Sequence, residues 1–138
     1  MIIDFHTHVH PPEWAARPTW EGRCPMEIER VMAAQERCGV DLSVISNAIH
    51  DLRGKNRAEQ LESVKFLNRN FAQLQDQYGG RLVALVAGVP TGGDAFLGEL
   101  ERAIRVDGLK GVMITSSLQG AYPDDDEALP FFPTGLGS

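Results

Sequence analysis

His6 and His8, two residues apart near the start of the chain, are the side chains best suited to chemistry. In an extended strand, residues two apart point to the same side, so both imidazoles would face one cavity. Two neutral ring nitrogens on one rigid strand can share a divalent ion at about 2.0–2.1 Å each. An ion so held lowers the pKa of bound water or polarises a substrate oxygen. Asp4 falls in the same alternation, placed to orient an imidazole or to sit satisfied in the floor of the site. A His-x-His pair also arises by chance on a surface. Here it ends a β-prone segment, which argues for the metal site.

Other candidates carry less. His10, beside Pro11 and beyond the strand end, reads as a loop residue rather than a third ligand. Asn47, His50 and Arg53 follow the second strand, on the side where substrate would sit. An Arg there can clamp a carboxylate through two parallel hydrogen bonds, although a solvated loop charge is the commoner use. Ser116 and Ser117 lack the G-x-S-x-G nucleophile elbow and read as strand-end residues. Gly92-Gly93-Asp94 could form an anion-binding turn, but a plain βα loop accounts for it. Cys24 and Cys38 read as packing residues, Cys38 on the buried side of the first helix. Asp124 to Asp126 read as a helix cap and solvated face.

The elements that must position these residues alternate. Met1 to His8 is β-prone, with Ile3, Phe5 and Thr7 opposite Asp4, His6 and His8. Pro11, Pro12 and Pro18 mark a loop. A helix is predicted from Pro25 to Cys38, with Ile28, Val31 and Met32 on one face and Gly39 ending it. Residues 40–46 form a second strand. Leu61, Val64, Leu67, Phe71, Leu74 and Tyr78 define a long helix closed by Gly79-Gly80. The apolar run Leu82 to Val89 suits a parallel strand buried on both faces. Asp94 is expected to cap a third helix carrying Leu97, Leu100 and Ile104. Leu109 to Ser117 reads as a fourth strand, and a fourth helix starting at Asp124–Asp126 is interrupted by Pro130. The fold class is therefore α/β, built of parallel (β/α) units, with chemistry at the carboxyl ends of the strands. Either a (β/α)8 barrel or a doubly wound sheet fits this order, and four strands are half of a barrel.

Composition narrows the function. The 138 residues contain 43% hydrophobic side chains, as a packed core requires. A net charge of −6 with 13 scattered Lys and Arg argues against nucleic acid as a partner. No run approaches the roughly 18–20 apolar residues of a membrane span. Two cysteines without a Cys-x-x-Cys pair, and no signal-peptide pattern in Met1-Ile2-Ile3-Asp4, lead to an expected cytoplasmic location.

The Asp4-Phe5-His6-Thr7-His8 stretch resembles the first strand of the amidohydrolase superfamily. Three further stretches bring the resemblance to the amidohydrolase-related branch that includes aminocarboxymuconate-semialdehyde decarboxylase. They are His8-Val9-His10-Pro11-Pro12-Glu13-Trp14, Gly80-Arg81-Leu82-Val83-Ala84-Leu85 and Gly108-Leu109-Lys110-Gly111-Val112-Met113-Ile114, with Leu100 to Ile104 fitting before the last. The similarity covers residues 1 to about 132. It implies the N-terminal half, strands one to four, of a TIM-type (β/α)8 barrel, followed by an atypical tail at 133–138. It further implies a divalent metal at the barrel mouth, with zinc expected. The implied reaction is hydrolysis or non-oxidative decarboxylation of a small organic acid. His6 and His8 match the first-strand ligands. The family's histidine near strand five, its aspartate at strand eight and its further catalytic histidine have no counterpart in this sequence. Catalytic residues are thus expected in a C-terminal half beyond it.

Two rival readings stay open. Metal-dependent phosphoesterases of related barrels share an N-terminal His-x-His, but need further ligands soon after, where this chain has Val9-His10-Pro11-Pro12. Alternatively, the chain is a non-catalytic half barrel whose open edges lead it to self-associate as a homo-oligomer.

Overall fold

The computed structural model describes residues 1–15, 27–47 and 52–132. The expected helix start at Pro25, the 133–138 tail, Cys24 and His50 lie outside the described residues.

Among the described residues, five strands and four helices follow one another along the chain. They are β1 (Ile3–His8), α1 (Pro12–Ala15), α2 (Ile28–Cys38), β2 (Leu42–Ser46), α3 (Arg57–Tyr78), β3 (Leu82–Ala84), β4 (Val86–Ala87), α4 (Asp94–Arg105) and β5 (Val112–Met113). Short 3-10 turns occupy Pro90–Gly92 and Asp126–Phe131. Every strand pairing is parallel, in the orders β1-β2-β3 and β4-β5. The expected parallel α/β architecture is therefore present.

The run from Leu82 to Val89 is one extended segment that changes partners. Its first half pairs with β2, Leu85 N–H donates to the Ile45 carbonyl at 3.0 Å, and its second half pairs with β5. The expected fourth strand, Leu109 to Ser117, is a regular strand only at Val112–Met113, with Lys110 and Gly111 also bonded to Ala84 and Val86. Asp124 to Asp126 lead into a 3-10 turn, since Pro130 supplies no N–H to continue an α-helix.

Gly39, in the left-handed region at φ 65°, ends α2 by donating its N–H to Gln35 and Glu36 carbonyls. α3 opens with a capping box in which Asn56 accepts from the Glu59 N–H and Glu59 accepts from the Asn56 N–H. α4 begins one residue earlier than a cap at Asp94 would require, with Gly93 in the cap position. Its buried face is Phe96, Glu99 and Ala103, while Ile104 is exposed, so the helix is turned from the expected Leu97-Leu100-Ile104 stripe.

The core lies between the sheet and the helices. Ile45, Phe71, Leu82, Val86 and Leu109 form one fully buried cluster, and Trp14, Leu52, Leu67, Val89 and Phe96 anchor a second. Each such side chain stabilises by about 1.5–3 kcal/mol relative to exposure. Cys38 does not join them. It sits at the last residue of α2, past the sheet, and is exposed.

Candidate metal centre

β1 is not a regular strand. Ile3 and Asp4 pair with Leu42 and Ser43, yet Thr7 and His8 pair with Ile45 and Ser46, so β1 has one residue more than β2 between these pairs. Such a bulge breaks the alternation and re-aims side chains. Asp4 consequently turns to Thr7 instead of sharing a face with His8. Its Oδ2 accepts from Thr7 Oγ1 at 2.6 Å and its Oδ1 from the His6 N–H at 3.1 Å. These two bonds hold the Asp4 carboxyl below its usual value of 3.8. Asp4 thus pins the bulge.

The bulge delivers the two histidines to one point. His6 Nε2 and His8 Nε2 stand 3.0 Å apart, with the rings edge to face. Two bonds of about 2.0–2.1 Å from a common ion, roughly 90° apart, span this separation. Behind His8, its Nδ1 lies 3.1 Å from Ser46 Oγ. A ligating imidazole characteristically donates its other N–H to such a partner, which fixes tautomer and ring plane. The donor set fits a divalent ion. Among the described residues, no group of three or more His, Cys, Asp and Glu side chains gathers to complete it.

Ser46, which nothing in the sequence singles out, is thus brought against His8. Only the pairing register, which sets His8 against Ser46, could have shown it. Asn47 is brought near the strand end but is buried, donating to the Val9 carbonyl at 3.1 Å and lying 2.9 Å from His10 Nδ1. The structure therefore joins Asn47 and His10 to each other. Arg53 lies on an exposed turn. His6 borders a cavity of about 310 Å³ with Asp4, Thr7, Gln35 and Ser43. A larger cavity of about 660 Å³ lies beside His10, between the start of α2 and the Asn70-Gln73-Gln77 face of α3.

Solved structures of similar fold include decarboxylases and amidohydrolases. The 2,6-dihydroxybenzoate decarboxylase from Rhizobium superposes at a TM-score of 0.78 with 19% identity, over 94% of this chain and 45% of that one. The 5-carboxyvanillate decarboxylase of Novosphingobium aromaticivorans, with bound manganese and 3-methoxy-4-hydroxy-5-nitrobenzoic acid, gives 0.79 and 18%, over 95% and 46%. The Metarhizium anisopliae IDCase in apo form gives 0.80 and 18%, over 96% and 47%. Identities this low establish the fold, half of a TIM-type barrel. The chain spans about half the length of the structures it matches. No curated protein matches the sequence. Residues 3–134 match the amidohydrolase family model, and the chain belongs to that family.

Proposed function

We propose that this chain supplies the first two metal ligands, His6 and His8, of an enzyme acting on a small organic acid by non-oxidative decarboxylation or hydrolysis. The observation that carries this reading is the 3.0 Å approach of the two Nε2 atoms, backed by Ser46 on His8 Nδ1. An ion bound there supplies positive charge that polarises a substrate oxygen or activates water. His6 and His8 hold it through Nε2. Ser46 accepts the Nδ1 proton of His8 and so keeps its other nitrogen unprotonated. The decarboxylases among the similar structures favour an aromatic carboxylate as first candidate substrate, and manganese beside zinc as the ion.

Titration of the metal-free protein with manganese and with zinc tests the reading. Binding should disappear in a His6→Ala, His8→Ala double variant. Unchanged binding would remove the pair from the metal site. Carbon dioxide release from 2,6-dihydroxybenzoate by the manganese-loaded enzyme, lost in His6→Ala, would place it with the decarboxylases. Ammonia release from amides would place it with the hydrolases.

A further inference from the structure

The geometry points to a second binding site, at the rim where the chain leaves β4 and β5 and enters α3 and α4, which takes the carboxylate of a small hydroxy acid. It is separate from the His6–His8 pair and does not rest on the metal reading.

Polar groups are left over on the wall of this site. A cavity of about 190 Å³ lies among Arg57, Gln60, Thr91, Gly92 and Gln119. Thr91 is 8% exposed, yet its hydroxyl makes no hydrogen bond among the described residues. Gln60 is 6% exposed. Its Nε2 donates to the Leu52 and Lys55 carbonyls, each at 3.2 Å, and to Gln119 Oε1. Backbone carbonyls only accept, so the amide nitrogen must face them, and Gln60 Oε1 is left with no donor among the described residues. Buried polar groups are almost always paired, with protein, water or ligand. Two left over on one wall mark a place for a ligand.

Arg57 supplies the charge. Its Nη1 donates to the Gly92 carbonyl at 3.1 Å, which holds the guanidinium against the turn before α4. Its Nη2 lies 4.0 Å from Glu127 Oε2, and both side chains are exposed, so this ion pair is loose and exchangeable. Gly93, at φ 82°, brings the start of α4 to the same spot, where an added Cβ would stand 3.7 Å from Arg57 Nη1. α4 has no side-chain cap, and its first N–H groups add positive potential there. Asp94 in the first turn tempers that field and leaves the guanidinium as the main attraction.

The leftover groups specify the ligand. A carboxylate accepts from Arg57 and from the Thr91 hydroxyl, and a hydroxyl beside it donates to Gln60 Oε1. The volume equals about six waters, room for an acid of roughly two to four carbons. Gln119 closes the rim from a strained turn. It sits at φ 50°, between Leu118 and Ala121, which exchange backbone hydrogen bonds at 2.9 and 3.0 Å. Such a conformation persists where the surroundings hold it, and here Gln60 and the Lys55 carbonyl do so.

Titration of the His6→Ala, His8→Ala variant with glycolate, followed by backbone amide chemical shifts, tests the site with the metal pair out of play. Gly92, Gly93 and Gln119 should shift together and saturate. Glycolate should bind about threefold tighter than acetate, and uncharged glycolamide should not bind. In the same background Arg57→Gln should weaken glycolate by about tenfold or more, Arg57→Lys should restore part of the loss, and Thr91→Val should cost about threefold. Glu127→Gln should tighten binding, because it removes the competing carboxylate; a merely structural role for these residues gives no such opposite signs. The absence of a saturable shift would mean that water fills the cavity, and would overturn the proposal. Glycolamide binding as well as glycolate, or an affinity indifferent to Arg57→Gln, would overturn the charge recognition, and acetate binding as tightly as glycolate would overturn the hydroxyl. None of these results touches the metal reading, and a failure of metal binding leaves this site standing.

Discussion

Ser46 makes a sharper probe of the metal reading than the ligands themselves, because it touches only the far nitrogen of His8. Ser46→Ala should leave the fold intact and weaken manganese binding by about tenfold, read by competition with a chromogenic chelator. Equal affinity would mean that the hydroxyl does not orient the ring. Asp4 gives a pH signature. Its folded-state pKa lies below the ordinary 3.8, so its contribution to stability is present above that value and is lost as pH falls through the folded value. Urea midpoints of the wild type and Asp4→Asn should therefore differ at pH 6 and draw together only as the pH falls through the folded value, below 3.8. A gap that persists in acid would assign the effect to shape instead of charge. The histidine pair was legible in the sequence because it is local and its spacing matches the strand period. The turn of Asp4 away from it was not. A bulge is a mismatch between two strands, and neither Asp4 nor Thr7 announces a partner 39 and 38 positions along the chain.

At the level of elements, the best-placed side chain is Asn68 on α3, which is fully buried. Its Oδ1 accepts from the Ala87 N–H at 2.9 Å on β4, and its Nδ2 donates to Glu99 Oε1 at 3.0 Å on α4. Burial raises the Glu99 pKa, but the hydrogen bonds from Arg102 and Asn68 outweigh it and keep the carboxyl ionised and below its ordinary range. Arg102 then grips both Glu99 oxygens and reaches Asp107. Asn68→Leu keeps the volume but leaves the Ala87 N–H without a partner and removes one of the two hydrogen bonds to Glu99 Oε1. It should cost about 2–3 kcal/mol in a urea melt. A loss below about 0.5 kcal/mol would show that water replaces the amide. Gly88→Ala is a second test of this region, since an added Cβ would stand 2.6 Å from Val112 Cγ1 and 3.0 Å from the Phe131 ring. It should destabilise by about 1–3 kcal/mol. The same polar network explains why α4 was misread. Its apolar spacing favoured Leu97, Leu100 and Ile104, whereas the bonds of Glu99 turn a charged residue inward, and hydrophobic periodicity is blind to a paired carboxylate. α3 had no such conflict, and Val64, Leu67 and Phe71 are buried as their spacing requires.

For the whole molecule, the most consequential feature is the change of partner at Leu85. Because β3 pairs with β2 and β4 with β5, the sheet is two ladders joined through one extended segment and the bond from the Lys110 N–H to the Ala84 carbonyl. Cooperative opening follows blocks of mutually dependent bonds, and each block can exchange its amide protons on its own schedule. Deuterium uptake should accordingly resolve two protection classes, one spanning β1, β2 and β3 and the other β4 and β5. Metal should slow exchange in the first class, which carries His6, His8 and Ser46, and change the second far less. A single class from Ile3 to Met113 would mean that α3, which packs against both β3 and β4, welds the ladders into one unit. With two classes, the histidine strand can breathe while the rest of the sheet stays shut, and the metal would be acquired by a door that opens without unfolding the house.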